Sequence, residues 1–423
     1  MEYADWSPDG SNLAVVREVG GHTRLEFPIG TFLYQTSGWL TDVRVSPAGD
    51  RVAFIDHEFR RDDAGSIDVV DRKGHVTVLA TGWLSAVGLA WSGRDVWFTA
   101  SREGSNRALY SVTQEGAIRP LASSPGVVTL RDVAPDGKAL VTRDSMRLDT
   151  IVAEGGTAER DLSWLDWTRL RDISRDGRTI LFDETGQGGG GHQGVYIRNV
   201  DGSPAIRLGD GTGEAFSPDG RWAISLSVDR SRLILLPTRP GESRTVDLAP
   251  LDRVHRAYWL PDGNHLLLGG SERGHAARFY VLDLAGGPPR AITPEGTSTD
   301  ATVSPDGLTI AARSGSGELT LFPVAGGTSR PIPGVNANEL VARWAPEGST
   351  LYVYDPTRMP VPLVRVDIAT GRRELAKEIA ASNASPLFGI QYLSITPDLK
   401  RYAYTTLHQD SELFIVQGLD AGR

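Results

Sequence analysis

A short turn sequence that recurs along the chain constrains its fold more than any other feature. The signature Ser-Pro-Asp-Gly, or a degenerate copy of it, occurs ten times, with successive copies 39 to 51 residues apart. Full copies end at Gly10, Gly220 and Gly307, whereas the last copy has Leu399 in place of the glycine. A period near 43 residues indicates that one supersecondary unit is repeated along the chain.

Each signature lies between two short apolar runs, as Ser217–Gly220 does. Proline presets φ for the first turn position, aspartate tolerates the second, and glycine adopts the left-handed conformation that leads into the next strand. A third and a fourth run follow before the next signature, and four antiparallel strands of this kind form one propeller blade. The sequence therefore predicts an all-β fold, a β-propeller of about ten four-stranded antiparallel blades.

The strand before each signature is predicted to be the innermost strand of its blade. Its last apolar residue is a tryptophan in four repeats, namely Trp6, Trp91, Trp259 and Trp344. A large apolar side chain at this position would fill the wedge between neighbouring blades. We therefore expect these tryptophans in the core.

The blades can be arranged in two ways. We expect one continuous array over 1–423; the alternative is three blades of an incomplete propeller over 1–125, followed by a seven-bladed propeller over 126–423. The last repeat ends at Gln417, after its third strand, so its outer strand is missing. We therefore expect the chain to be the C-terminal part of a longer reading frame.

Composition and charge exclude several classes of partner. The net charge of −9 and the pI near 5.5 argue against nucleic acid, whose phosphates would be repelled. The chain has no cysteine, which excludes disulfides and thiolate metal sites. No stretch approaches the ~18 apolar residues of a membrane span, so we expect no membrane insertion. The sequence predicts a soluble monomer.

The repeats resemble the WD40-like PD40 repeats of TolB-type propellers. Trp6–Gly10, Phe216–Gly220 and Tyr280–Leu284 carry this resemblance, which extends over the whole chain. A narrower resemblance, to the C-terminal propeller region of bacterial serine/threonine protein kinases, rests on four segments: Arg24–Gly30, Asp161–Trp167, Leu181–Glu184 and Glu412–Leu419.

The kinase resemblance implies a sensor or interaction module. In those proteins the propeller is extracytoplasmic and follows a membrane span, so a periplasmic location is implied if the chain derives from such a parent. The chain has no Gly-rich nucleotide loop with a following lysine strand, no His-Arg-Asp loop and no Asp-Phe-Gly. It is therefore not itself expected to be a kinase.

Aromatic residues between blades are the first candidate binding site. Four tryptophans are predicted in loops that join the outer strand of one blade to the inner strand of the next: Trp39, Trp83, Trp164 and Trp167. Such loops crowd one face of a propeller, and exposed indole rings suit recognition of a sugar or a peptide. The alternative is that these indole rings pack between neighbouring blades as inter-blade plugs and do not bind a ligand.

The central channel is the second candidate site. Residues predicted to enter the inner strands are Glu2, Asp42, Arg169, His255, Arg256, Asp300 and Gln391. Such a mixed set could hold a hard cation or a small anion, or simply line a water-filled channel. No cofactor is predicted; a calcium or manganese ion is possible only in the enzyme alternative, with His255 and Asp300 as its ligands.

The preferred function is a non-catalytic sensor or interaction module that binds a protein, peptide or glycan on its loop face. No Gly-x-Ser-x-Gly elbow and no His-Glu-x-x-His occurs, and so no catalytic residue is predicted. The alternative is a metal-dependent hydrolase or lyase that uses the channel, with a lactone, phosphotriester or uronide as substrate. That alternative rests on analogy with other propellers.

Overall fold

The structure is a computed structural model that describes residues 3–20, 22–58, 63–103, 106–124, 126–154, 158–185, 193–381 and 389–419. Within these ranges all the regular secondary structure consists of β-strands, which confirms the all-β prediction. None of the described residues forms a helix of the length and apolarity needed to cross a bilayer. Glu2, predicted in the channel, lies outside the described residues.

The chain divides into two compact units. Unit 1 contains Met1–Ser145 together with Gln409–Arg423, and unit 2 contains Met146–His408. Blades are numbered 1 to 10 in the order of their signature turns. Unit 1 holds blades 1 to 4, and unit 2 holds blades 5 to 10.

The first three blades of unit 1 are regular four-stranded antiparallel sheets, and the fourth is not. Blade 1 has β1 (Tyr3–Trp6), β2 (Leu13–Val19), β3 (His22–Glu26) and β4 (Phe32–Thr36). Blade 2 has β5 (Trp39–Val45), β6 (Arg51–His57), β7 (Gly65–Asp71) and β8 (Val76–Trp83); blade 3 has β9 (Ser85–Ser92), β10 (Asp95–Ser101), β11 (Ala108–Val112) and β12 (Ile118–Ala122). Blade 4 has β13 (Val127–Val133), the first half of β14 (Ala139–Glu154) and the second half of β37 (Arg401–Val416).

Unit 2 holds five sheets that are continuous in sequence. Blade 5 has β16 (Thr168–Ile173), β17 (Thr179–Glu184), β18 (Gly194–Asn199) and β19 (Ile206–Asp210); blade 6 has β20 (Thr212–Phe216), β21 (Trp222–Leu226), β22 (Leu233–Pro237) and β23 (Arg244–Val246). Blade 7 has β24 (Leu251–Trp259), β25 (His265–Glu272), β26 (Arg278–Asp283) and β27 (Arg290–Ala291). Blade 8 has β28 (Ala301–Val303), β29 (Thr309–Arg313), β30 (Leu319–Pro323) and β31 (Arg330–Pro331); blade 9 has β32 (Leu340–Trp344), β33 (Thr350–Tyr354), β34 (Val361–Asp367) and β35 (Arg373–Ile379).

Blade 10 is assembled from two distant stretches of chain. Its inner strands are β36 (Ile390–Ile395) and the first half of β37; its outer strands are the second half of β14 and then β15 (Arg160–Asp161). The expectation that the last inner strands lack an outer partner is therefore wrong for unit 2. Residues 146–154 and β15, which precede blade 5 in sequence, supply the missing strands.

The unit bounds differ from both arrangements expected from the sequence. The cause is the length of β14 and β37, which are each 16 residues long. Their two halves belong to different units, with the divisions at Ser145 and at His408. Counting signature turns assigns one blade to each turn, and it cannot show that one strand serves two blades.

The signature turn is held together by its own side chains. In Ser217–Gly220 the Ser217 hydroxyl donates to the Asp219 carboxylate at 2.5 Å and accepts from the Trp222 N–H at 3.0 Å. The Asp219 carboxylate also accepts from the Arg221 N–H at 3.0 Å. Hydrogen bonding from Ser217 lowers the pKa of Asp219, and Gly220 has a φ of 69°. The turn therefore accounts for its own serine, aspartate and glycine.

Inter-blade cores close unit 2 into a ring. Apolar clusters lie between consecutive blades from 5 to 10, and a sixth cluster joins blade 10 to blade 5 through Val152, Ala403, Leu170 and Ile180. Unit 1 has three such clusters, between blades 1 and 2, 2 and 3, and 3 and 4. Unit 2 is therefore a closed six-bladed propeller.

The wedge tryptophans are mostly where the sequence predicts them. Trp259 and Trp344 are buried, and Trp91 is half-buried. Trp6 is 62% exposed, so its prediction as a core residue is wrong. The inter-blade cluster of blade 1 is formed by the opposite side of its sheet, through Ala14, Val16 and Leu25, and this leaves Trp6 uncovered.

We predict that Ile151→Ala destabilises unit 2, because Ile151 is fully buried in the cluster between blades 9 and 10. The expected loss is about 2–5 kcal/mol in the free energy of unfolding, measured by chemical denaturation. Met146→Ala, at an exposed position of the same strand, is the matched control. Equal losses in the two variants would contradict the placement of β14 in blade 10.

Candidate functional site

Unit 2 encloses a channel along the inner strands of its six blades. The cavity has a volume of about 1210 Å³. Side chains alternate across a β-strand, so each inner strand directs part of its residues into this space. The charged residues of the wall are Arg171, Asp172, Arg175, Glu214, Arg256, Asp300, Arg313, Glu339 and Arg343.

One mouth of the channel is ringed by the signature turns. Each turn directly follows an inner strand, so its second residue lies at the same end of the channel in every blade. Five of these residues are prolines, Pro218, Pro261, Pro305, Pro346 and Pro397; blade 5 has Arg175 instead. At the second turn position the mouth therefore carries five apolar, rigid side chains and one positive charge.

Carboxylates in the wall are held by arginines. Arg171 donates to Asp183 at 2.5 Å in a buried ion pair, and Asp183 also accepts from the Gly213 N–H at 2.5 Å. Burial raises the pKa of Asp183, and the charge of Arg171 opposes the rise. An arginine and a backbone amide together compensate the buried charge of this carboxylate, as a buried ion requires.

A second network spans blades 6, 7 and 8. The buried Glu214 lies 3.3 Å from Arg230 and 3.5 Å from Arg256. Arg256 in turn donates to Asp300 at 2.9 Å. Burial raises the pKa of Glu214, whereas Arg256 lowers it. Arg256 therefore bridges carboxylates contributed by the two blades on either side of its own.

Asp172 is a buried carboxylate near the mouth whose pKa is raised. It accepts from the Phe216 N–H at 3.0 Å, from the Ile173 N–H at 2.8 Å and from the Ser394 hydroxyl at 3.3 Å. Burial raises the pKa of Asp172 to about 6, and Arg343 acts against this rise. Proton uptake by Asp172 is therefore expected in mildly acidic solution.

Arg175 differs from the other arginines of the cavity. Arg171 is paired with Asp183 and Arg256 with Asp300. The guanidinium groups of Arg313 and Arg343 donate to backbone carbonyls, the former to Gly317 at 2.8 Å and the latter to Trp344 at 3.2 Å. Within the described ranges, the exposed Arg175 side chain has neither an ion pair nor a hydrogen bond.

β-Bulges set which side chains enter the channels. The inner strands β16, β24, β32 and β36 shift register near their middle, where two residues oppose one. Arg171, His255 and Gln391 lie at these shifts. A bulge redirects its side chain relative to regular alternation. This displacement has no marker in the repeat signature, so sequence reasoning missed the roles of Arg171 and Glu214.

The predicted channel residues of unit 2 are partly brought together. Arg256 and Asp300 both line the cavity and are ion-paired. The Arg169 guanidinium lies 5.8 Å from the ring centre of Tyr392. His255 is half-buried, and its carbonyl accepts from Arg230 at 3.4 Å.

A metal at His255 and Asp300 stays a prediction. Within the described part of the chain, no cluster of three or more histidine, aspartate and glutamate side chains has the arrangement of a metal site. Burial lowers the pKa of His255, and Arg230 and Arg253 act in the same direction. A neutral imidazole can bind a metal, but the same arginines place positive charge where a cation would lie.

Asp42, predicted in the channel, belongs to unit 1. It lies in β5 at a register shift and has a φ of 51°, a left-handed conformation that aspartate tolerates better than most residues. A separate cavity of about 560 Å³ in unit 1 is lined by Asp5, Arg44, Trp91 and Asp132, among others. The Asp5 carboxylate accepts from the Val45 N–H at 2.8 Å, which ties blade 1 to blade 2.

The four predicted loop-face tryptophans are divided between the units. In unit 1, Trp39 lies in β5 and packs on Tyr3 and His57, with ring centres 6.4 and 5.4 Å away. Trp83 ends β8 and is only 3% exposed, in the core between blades 2 and 3. Trp83 therefore acts as an inter-blade plug and has little surface to offer a ligand.

In unit 2 the loop before blade 5 presents one indole ring. Trp164 is 39% exposed, and the Arg198 guanidinium lies 5.4 Å from its ring centre. Trp167 is half-buried, and its backbone N–H donates to Glu184 at 2.8 Å. A role for Trp164 in ligand binding stays a prediction.

The fold defines the chain as a β-propeller protein with a closed six-bladed unit and a second unit of four blades. No family model matches the chain. It is 34% identical over 93 residues to an uncharacterized WD repeat-containing protein of Deinococcus radiodurans, a match that covers 22% of this chain and 28% of that relative. The chain thus matches less than a third of that relative's length.

Among solved structures, the chain is similar to a putative TolB from Agrobacterium tumefaciens, with 21% identity and a TM-score of 0.46 over 62% of this chain and 99% of that one. It is also similar to an oligogalacturonate lyase from Vibrio parahaemolyticus, with 16% identity and a TM-score of 0.40, over 60% of this chain and 76% of the lyase. The propeller fold expected from the sequence is confirmed by the antiparallel four-stranded sheets of this chain. The kinase resemblance stays a prediction.

We predict that Asp172 makes the stability of unit 2 depend on pH. Its folded pKa of about 6 exceeds the ordinary 3.8, so protonation favours the folded state at low pH, and this stabilisation is lost as the pH rises through 6. The stability of the wild type relative to Asp172→Asn should therefore fall by roughly 1–3 kcal/mol between pH 4 and 7. Denaturation of both proteins across this range measures it; a constant difference would contradict it.

We also predict opposite outcomes for two tryptophans. Trp83→Ala should lower the free energy of unfolding of unit 1 by about 3–5 kcal/mol, because it empties a packed core position. Trp164→Ala should change the stability of unit 2 by less than about 1 kcal/mol, because its ring is exposed. Denaturant titrations of the two variants compare them directly, and similar losses would refute the assigned burial.

Proposed function

We propose that unit 2 is a non-catalytic interaction module that binds an extended, acidic segment of a partner protein at the proline-lined mouth of its channel. The observation that carries the proposal is the position of Arg175 in a ring otherwise made of prolines. Prolines have no N–H to satisfy and little conformational freedom to lose. They offer a preformed apolar surface to a peptide backbone.

Charge supports an acidic ligand. The other arginines of the cavity are engaged by carboxylates or backbone carbonyls, whereas Arg175 has no such partner among the described residues. A guanidinium group can bind a carboxylate through two parallel hydrogen bonds, which gives both strength and orientation. An aspartate or glutamate side chain, or a terminal carboxylate, therefore fits this position.

The wall chemistry favours binding over metal-dependent hydrolysis or lyase chemistry. The Asp300 carboxylate is held by Arg256, and Arg230 and Arg253 lie near His255. A cation in this region would meet three positive side chains. Arg230 and Arg256 also stabilise the wall itself, since both lie beside the buried Glu214 carboxylate. We further propose that the protein is a monomer and that it works outside the cytoplasm, the location that the kinase resemblance implies.

The test uses the full chain and peptides selected from a random twelve-residue display library, followed by fluorescence anisotropy with synthetic peptides. We expect the selected peptides to be acidic. Arg175→Glu should weaken their binding about 10- to 100-fold, since it replaces a charge-assisted hydrogen bond with repulsion. Arg239→Glu, at an exposed arginine in the turn after β22, should leave binding unchanged.

The outcomes separate the alternatives. Selected peptides without acidic residues, or equal affinities of the Arg175→Glu and Arg239→Glu variants, would refute the proposed site. Hydrolysis or elimination of a lactone, phosphotriester or uronide that is lost on adding a chelator would instead establish the enzyme alternative.

A further inference from the structure

Blade 4 of unit 1 has an open outer edge. Blades 1, 2 and 3 end in a fourth strand, respectively β4, β8 and β12. In blade 4 the second half of β37, 409–416, is the third strand, and no fourth strand pairs with it among the described residues. An edge strand of this kind presents a row of unpaired N–H and C=O groups to which another strand can add.

The inner side of this edge strand is firmly attached. The Ser411 hydroxyl donates to Asp144 at 2.7 Å, and Arg143 donates to Glu412 at 3.0 Å. The Arg143 guanidinium also lies 5.5 Å from the ring centre of Phe414. The strand is therefore held in an extended conformation by β14, so its outer edge is preorganised for pairing.

The side chains of the edge strand are unusually apolar for their exposure. Leu413 is 64% exposed, Phe414 41% and Ile415 67%. The corresponding third strands β3, β7 and β11 are mostly buried. Exposed edges in proteins commonly carry lysine or proline, which discourage pairing; the segment Glu412–Val416 has neither. The edge therefore has the composition of a strand that is normally covered.

We propose that this edge binds an extended segment of another protein as the fourth strand of blade 4, and that the segment is apolar at its N-terminal end and basic at its C-terminal end. In the other blades of unit 1 the fourth strand runs antiparallel to the third. An antiparallel segment meets the apolar residues 413–416 first and the exposed Asp410 last. Lysine or arginine opposite Asp410 complements its charge.

A second copy of this chain fits the edge less well. Antiparallel pairing of two identical edges sets the acidic end of each strand against the apolar end of the other, so Asp410 finds no cation. Pairing of one short strand also buries far less than the ~1,200 Å² of the smaller stable interfaces. Recognition of a peptide by strand addition, in contrast, draws its affinity from main-chain hydrogen bonds and alternate side-chain contacts.

The experiment measures binding of two fluorescein-labelled peptides to the full chain by anisotropy. The first is Val-Ile-Val-Thr-Lys-Thr-Lys, and the second has glutamate in place of both lysines. We expect the basic peptide to bind at least tenfold more tightly than the acidic one, and Asp410→Lys to reverse this preference. Hydrogen exchange should show slower amide exchange in 409–416 when the basic peptide is bound.

Two further variants test the location. Leu413→Lys combined with Ile415→Lys should weaken binding of the basic peptide at least tenfold without loss of stability, since both side chains are exposed. Val78→Lys, at a 55% exposed position of the outer strand of blade 2, should bind like the wild type. The proposal is overturned if neither peptide binds, if the double variant binds normally, or if sedimentation shows a dimer that the double variant abolishes.

Discussion

The pairing of 146–154 with 401–408 is the constraint on which the rest of unit 2 depends. These segments are far apart in sequence, and together they form the middle of blade 10. Arg401 donates to Glu154 at 3.1 Å at one end, and the Thr150 and Thr405 hydroxyls lie 3.4 Å apart in the buried interior. Without this pairing blade 10 lacks half its strands, and the clusters that join it to blades 9 and 5 lose Ile151 and Val152.

Closure of the ring gives the channel and its mouth. The six signature turns meet at one end only because six inner strands converge, and the converging prolines then define a rigid apolar rim. The serine and aspartate of each turn are used within the turn, as in Ser217 and Asp219. Departures from the signature are therefore more informative about function than the signature itself, and Arg175 is the departure that faces the channel.

Much of the fold, but less of the candidate site, could be predicted from the sequence. The residues of each turn predict a hairpin. The number of blades and the order of their strands therefore follow from residues that are close together in sequence. The side chains that line the channel depend on bulges such as the one at Arg171 and on pairing between blades. Trp39 and Trp83 show the same limit of sequence-based prediction. The sequence pattern around an aromatic residue near a blade boundary is the same whether its ring is exposed or packed against a neighbouring residue.

The sequence by itself determined the repeat and the antiparallel blades, because these depend on turn residues and on the order of apolar runs. Only the tertiary structure decided how the blades are grouped. Burial and the hydrogen bonds between residues distant in sequence determine which strands pair. A long strand such as β14 or β37 can therefore contribute one half to each of two blades. As a result the chain forms a closed ring of six blades in unit 2 and four blades in unit 1, the last of which has no paired fourth strand among the described residues.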